Sequence, residues 1–447
     1  MTISQLLRGC LLAVLVGSIG TAAAKVTPDE AAKLGKELTP VGAESAANAD
    51  GSIPAWTPAA QKGKLTGEYP SDAAIDAEKP LFTITKANVA QYAAKLTAGH
   101  QKLLDNYPTY KLNVYPSHRI VTWPKAIIDA TLANATTAEL QGTDSLANAK
   151  LGFPFPIPKS GAEPIWNHKL KWRGESVTRF NNQMIVQTNG QFQLTKIVED
   201  VRFYYASIMA PVPAAPGSYS IKYLSQTIAP PRMAGTFILA HEKTDGRDAW
   251  LYSPGLKRIR RAPTVCCDNP YEGTDGHQFY DQVDMFNGEM KRFDWKLVGK
   301  KEMYIPYNSH RIGGPKVKYA DMAKPKHLNA DLPRYELHRV WVVEATIRKG
   351  TNHTFHKRVF YIDEDGWNIV AADNYDSRNQ LYQFQEGHYG FSTNVLAGGT
   401  QPEVIYHFNS GRYFITAMAN EDKPVDFTKT WDDNYFDAAN VQKRTTR

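Results

Sequence analysis

From residue 176 to residue 375 the chain repeats one pattern: short runs in which apolar or aromatic side chains alternate with polar ones, cut by turn residues. A period of two sends successive side chains to opposite faces, so each run reads as a strand with one covered face. Such runs fall at 176–186, 191–209, 218–227, 236–243, 248–252, 288–297, 339–347, 357–362 and 367–375. Asn189-Gly190, Thr244-Asp245-Gly246 and Asp365-Gly366 supply tight turns between them. With few helical stretches to carry crossovers, neighbouring strands must run antiparallel. The predicted fold class is α+β, mainly β: a large, curved antiparallel sheet or incomplete β-barrel, with an N-terminal arm and helices packed on or inside it. No internal repeat is visible.

The run Phe153-Pro154-Phe155-Pro156-Ile157-Pro158 bounds this region. Prolines two apart impose an extended chain and remove the donors that a regular ladder needs. Ahead of it, the spacing predicts a helix capped by Thr85, with Val89, Tyr92, Ala93, Leu96, Leu103 and Leu104 on one face and an end near Pro108. A second helix is predicted over 125–140. Residues 25–79 are rich in Ala, Gly, Pro and Thr and read as an extended arm, with one short helical start at Thr27-Pro28-Asp29-Glu30. The expected division is a signal peptide at 1–24, an N-terminal arm at 25–79, a helical segment at 80–152 and an antiparallel β half-barrel domain at 153–447.

The signal peptide is read from Arg8, the apolar run 11–19 (LLAVLVGSI) and the small residues Thr21-Ala22-Ala23-Ala24, which suit cleavage after Ala24. The apolar run is about half of the ~20 residues that span a bilayer, so the chain is not expected to be an integral membrane protein. Cys10 precedes that run instead of following it, which does not fit a lipoprotein anchor. The expected location is the periplasm.

Loss of Arg8 with the leader takes the 52 Lys and Arg to 51 against 45 Asp and Glu, a formal +6. That mild, dispersed charge does not make a nucleic-acid footprint. Two cysteines remain, Cys266 and Cys267, and adjacent residues can close only a strained ring, so no disulfide framework exists. The pair reads as two thiols, with a vicinal disulfide or an intermolecular link as the competing readings.

Motifs with recognisable chemistry are scarce. The sequence contains no HExxH, no phosphate-binding glycine loop and no dinucleotide fingerprint, so no cofactor is expected. His353 and His356 are three apart near a hairpin, a spacing that sends the rings of a strand to opposite faces. Asp363-Glu364-Asp365-Gly366 resembles half of a calcium loop but lacks the remaining ligands, and reads as an acidic turn. Asp268, Asp275, Asp281 and Asp284 could gather round a cation or form a solvated loop. Trp166-Asn167-His168, close to Glu163, could form a polar site or a tightly held turn.

The most informative stretch is 248–263, DAWLYSPGLKRIRRAP. Trp250 and Tyr252 share a strand face, Pro254-Gly255 turns the chain, and Lys257, Arg258, Arg260 and Arg261 follow. A basic lip beside aromatic rings suits an amphiphile with an anionic head. Salt bridges to the Asp-rich loop that follows are the competing reading.

Here the chain resembles the uncharacterised proteobacterial family of exported proteins known as domain of unknown function 1329, which is related to the outer-membrane lipoprotein-sorting proteins of the LolA/LolB type. The matching stretches are 38–56, 153–173, 229–242, 248–263, 286–308 and 339–375, the last containing HKRVFYIDEDGW. With the narrower sorting-protein pattern only Trp250, Tyr252, Pro254, Arg258, Arg260 and Arg261 are shared. The resemblance implies an incomplete barrel wrapped round helices over an apolar cavity for a lipid or acyl chain. It also implies a setting beside transporters of the resistance-nodulation-division type and outer-membrane proteins. It carries no catalytic residues, and the Cys266-Cys267 pair departs from its usual aromatic or small residues.

The expected function is a non-enzymatic periplasmic carrier or chaperone for a lipid or lipoprotein acyl chain. Trp250, Tyr252, Arg258, Arg260, Arg261, Trp166 and His168 are the expected ligand-binding residues; no metal site is expected. One alternative is an adaptor that links an inner-membrane transporter to an outer-membrane partner through the arm. Another is a periplasmic hydrolase using Glu163 and His168.

Overall fold

Sixteen strands pair edge to edge in one sheet. The computed structural model describes residues 26–445, so the expected leader at 1–24 lies outside the described residues. From one end the order runs Phe82–Ile84, Leu112–Val114, Tyr335–Ile347, Lys357–Asp363, Ile369–Tyr375, Leu381–Ser392, Ala397–His407 and Arg412–Met418. It continues through Asn182–Val186, Phe192–Phe203, Tyr219–Ala229, Phe237–Lys243, Gly246–Ser253 and Arg258–Arg261. Phe293–Pro306 adds to Tyr335–Ile347, and Ser176–Phe180 to Phe192–Phe203. The two ends do not pair with each other, so the sheet is large and curved but is not a closed barrel. Pairing is antiparallel throughout except where Tyr335 meets Val114.

The mainly β expectation holds, with instructive departures. Strands Leu381–Ser392, Ala397–His407 and Arg412–Met418 are additional to those expected; Gly387, Gly390, Gly398, Gly399 and Pro402 interrupt the alternation of the first two. Packing requires some of those glycines: a Cβ on Gly398 would lie 1.9 Å from Tyr389 Oη. The expected strand 176–186 is two, bent at Asn181, whose amide donates to Ile197.

The expected Thr85-capped helix is also broken. It consists of Val89–Tyr92, a 3₁₀ turn Ala93–Lys95 and a separate helix Ala98–Asn106. Leu96 is extended, and Thr97 starts the last helix by accepting the His100 amide. The freed amides of Ala98 and Gly99 donate to the Asp373 carboxylate at 3.1 and 2.9 Å, so tertiary contacts override the periodic pattern. The second expected helix is present as Lys125–Thr137.

Residues 26–79 lie along the body, with Val41, Ala43 and Ile53 buried in it. Trp367, itself buried, donates its indole N–H to the Val41 carbonyl at 2.9 Å, and the Trp56 indole donates to Val121 at 2.7 Å. Among the described residues no helix is long and apolar enough to cross a membrane.

Candidate functional site

Between the strands from Ser176–Phe180 to Gly246–Ser253 and the loop around 265–288 lies an open cleft. One part encloses about 1340 Å³ counted to the mouth, and an adjoining part about 770 Å³. The two share the wall formed by Arg173, Arg179, Phe203, Tyr223 and Asp284. Alternation along the strands places Val201, Phe203, Ile221, Ile238 and Ala240 on this face, with Val265 and Phe286 opposite. The larger part also takes in Gly390, Gly398 and Gly399, and a Cβ on Gly399 would meet nothing.

The apolar wall surrounds a network of buried charge. Asp284 Oδ2 accepts from Lys171 Nζ at 2.8 Å and Arg173 Nη1 at 2.5 Å. Burial opposes its charge, but Lys171 and Arg173 outweigh that and hold the carboxyl far below its ordinary range. Asp284 and Met285 both have left-handed backbones, φ 52° and 63°, so the loop presents this carboxylate at a conformational cost. Arg179 pairs with Glu199 at 2.8 Å, directly across the strand ladder. Glu199 also accepts from Asn181 at 2.5 Å and Tyr223 at 2.7 Å. Arg247 pairs with Glu242 and donates to the Val265 and Asn287 carbonyls.

Lys169 stands apart. Among the described residues it is the one lysine or arginine of the cleft lining without an ion pair. Its Nζ donates to Asn287 Oδ1 at 3.2 Å and the Gly288 carbonyl at 3.0 Å. Burial pushes its pKa down to about 8. Glu403 sits on the opposite side, accepting from Thr400 and the Met285 amide, and burial together with the Asp284 charge pushes it up to about 7. The arrangement can receive an anion beside Lys169 and an apolar chain along the Val201–Ala240 face.

The residues singled out from the sequence lie mostly elsewhere. Trp250, Tyr252, Ile259 and Arg261 share the face turned away from the cleft, by the register Trp250↔Arg261 and Tyr252↔Ile259. The C-terminal segment covers this face, with Trp431, Phe436 and Val441 packed near Trp250 and Ile259. Arg261 stacks on Trp250 at 5.5 Å and pairs with Asp248 at 3.2 Å rather than with the later Asp-rich loop. Arg258 and Arg260 are exposed on the cleft-side face but beyond its lining. Trp166 is buried and donates to the Thr143 carbonyl at 3.0 Å.

His168 is buried behind the cleft. Its Nε2–H donates to the Asp284 carbonyl and its Nδ1 accepts the Ile369 amide, so it positions the loop that carries Asp284. Glu163 accepts the Lys159 amide at 2.5 Å. The structure therefore does not bring Glu163 and His168 together as a catalytic pair. His353 is bound to Asp281 at 2.9 Å while His356 is exposed; Asp268, Asp281 and Asp284 go to different partners and Asp275 is exposed. Cys266 and Cys267 are free thiols. The Cys267 thiol hydrogen-bonds to Cys266 and brings it down to about 7, whereas Cys267 is pushed far up.

The cleft cations Lys169, Lys171 and Arg173 fall within the motif stretch 153–173, yet no spacing rule marks them as neighbours of Asp284. The Arg179–Glu199 pair becomes visible only from strand register.

Comparisons place the chain among known sequences. The family model described as protein of unknown function (DUF1329) matches residues 83–442. An uncharacterized protein of Pseudomonas aeruginosa is 43% identical over 439 residues, 95% of either chain. Among solved structures, a candidate outer membrane lipoprotein-sorting protein domain from Vibrio parahaemolyticus is 16% identical, covers 63% of this chain and 98% of its own, and superposes with a TM-score of 0.43. A DUF1329 family protein from Desulfovibrio piger is 12% identical over 60% of this chain and 92% of its own, with a TM-score of 0.41. A LolA superfamily protein from Nitrosomonas europaea is 11% identical over 60% and 93%, with a TM-score of 0.35.

Proposed function

The chain belongs to the DUF1329 family, and from that premise we propose that it acts outside the cytoplasm as a carrier, not an enzyme, for an amphiphile with an anionic head and an acyl-like tail. The observation that carries this reading is Lys169: a half-buried cation, bonded only to neutral acceptors, at one end of an apolar face inside an open cleft. An anionic head beside Nζ would gain a charge-assisted hydrogen bond, and the tail would cover Val201, Phe203, Ile221 and Ile238. Ten buried methylenes contribute about 8 kcal/mol, enough to leave useful affinity after the cost of association. In this reading the leader 1–24 sets the compartment, and transfer of a lipid or lipoprotein acyl chain between membranes is the task.

Titration with a fluorescent fatty acid, together with native mass spectrometry after mild purification, tests the proposal. Saturable binding that dodecanoate displaces supports it. A protein that isolates empty and binds neither probe refutes it.

A further inference from the structure

The acidic turn at 363–366 joins strands Lys357–Asp363 and Ile369–Tyr375, and it is sunk in the interior: Asp363, Glu364 and Asp365 are 0, 1 and 2% exposed. None of the three lines the cleft. His338, from the adjacent strand Tyr335–Ile347, joins Asp363 and Asp365 so that one ligand atom from each lies within 4.8 Å of the others. His338 Nδ1 faces Asp365 Oδ2 at 3.9 Å, while Nε2 is hydrogen-bonded to Glu336 Oε2 at 2.9 Å. An imidazole whose outer N–H is held by a carboxylate presents a bare nitrogen inward, the usual support of a metal-bound histidine.

Further observations point to a missing positive partner. Asp363 Oδ2 accepts the Gly366 amide at 2.6 Å and the Tyr307 hydroxyl at 3.1 Å, leaving buried Oδ1 without a partner. The Tyr389 hydroxyl, on a fully buried side chain, also lacks one. It lies near the turn, since a Cβ on Gly366 would lie 2.9 Å from Tyr389 Oη and 3.0 Å from Asp363 Oδ2. Around the turn, Arg119, Lys300, Arg334 and Arg339 pair with the buried carboxylates Glu336, Glu364 and Asp365, and none of them pairs with Asp363. Unpaired buried charge of this kind is costly unless a cation or protons meet it.

We propose that His338, Asp363 and Asp365, with the Tyr389 hydroxyl as a neutral neighbour, bind a divalent cation of the zinc or manganese class, forming a structural centre that pins the turn to strand Tyr335–Ile347. One imidazole with two carboxylates suits such an ion better than calcium or magnesium, which favour all-oxygen sites. Ligand atoms about 2.0–2.2 Å from one ion lie at most about 4.4 Å apart, so small side-chain rotations close the site. Arg119 donates to both Asp365 oxygens at 2.7 and 2.9 Å, and each oxygen keeps a further lone pair for the metal.

The test is to unfold the purified protein in guanidinium with EDTA and refold it in chelated buffer with or without Zn²⁺ or Mn²⁺. Metal content and melting temperature are then measured. The expected result is about one equivalent of bound metal per chain and a rise of several degrees, with His338→Gln and Asp363→Asn holding less than about a tenth of an equivalent. Metal below about a tenth of an equivalent in the refolded wild type, with melting unchanged by either ion, overturns the proposal. That wild-type measurement decides even where a variant does not fold.

Discussion

The imidazole of His168 donates its Nε2–H to the carbonyl oxygen of Asp284, 116 residues away, at 2.7 Å. Because Nδ1 simultaneously accepts the Ile369 amide at 3.0 Å, the ring must be neutral with its proton on Nε2. Burial, with the Lys171 charge, holds its pKa down to about 3.

His168→Ala leaves two buried backbone groups unpaired and should cost about 3 kcal/mol. The same bond sets a pH dependence. A histidine depressed from 6.5 to about 3 contributes stability that is complete above pH 6.5 and lost as pH falls toward 3, because only the unfolded chain takes up the proton. Guanidinium unfolding at pH 7.5 and pH 5.0 should show a loss of about 2 kcal/mol from this group in the wild type. That component should be missing in His168→Gln.

Glu403 has the opposite sign. Its pKa is raised to about 7, so its contribution is complete below the ordinary carboxylate range and is lost as pH rises through 7. Glu403→Gln removes that liability and should stabilise the protein by about 2–3 kcal/mol at pH 8, with little effect at pH 4.5. Thermal melts at the two pH values distinguish the cases.

Ligand binding should depend on Lys169. Lys169→Met should weaken an anionic amphiphile at least about tenfold while leaving a neutral alcohol of equal chain length almost unaffected. Since Lys169 loses its proton near pH 8, wild-type affinity for dodecanoate should fall between pH 7 and 9. Isothermal titration with dodecanoate and dodecanol measures both effects.

The thiols should differ in reactivity. Cys266, partly exposed and held near 7 by the hydrogen bond from Cys267, should alkylate with iodoacetamide at neutral pH. Cys267, buried and pushed up, should react only after unfolding. Peptide mapping after timed labelling reads this directly, and Cys267→Ala should slow labelling of Cys266.

Gly42 anchors the N-terminal arm. Its φ is 100°, and a Cβ there would lie 1.8 Å from the Pro156 carbonyl oxygen. Gly42→Ala should cost about 2–4 kcal/mol and expose residues 26–79 to proteolysis. Differential scanning fluorimetry and limited trypsin digestion check the two consequences.

The sheet was legible because alternation is a local property, written in runs such as Tyr219–Ala229. Glycines hid Ala397–His407, where the need for space against Tyr389 outweighs strand propensity. The cationic run at 257–261 drew attention because its charges are adjacent in sequence, yet its strand lies at the sheet edge, and the Trp250 face is covered by residues 431–441. The cleft charges are paired across long separations: Lys171 with Asp284, Arg179 with Glu199. Such pairs follow from register and loop path, which residue spacing does not encode. The turn at 363–366 was readable as acidic, but its burial is decided by the arm and by Arg119 from elsewhere in the chain.

The unpaired ends of the sheet bear on how a guest could enter. A closed barrel admits a bulky chain only by breaking ladder hydrogen bonds, a slow event comparable to local unfolding. Here Arg258–Arg261 has no further strand beside it, and the C-terminal segment rather than a closing ladder holds that end of the sheet, so a guest that reaches the cleft by its open side breaks no rung. Uptake and release would then leave amide exchange in these strands slow, because no strand pair has to open.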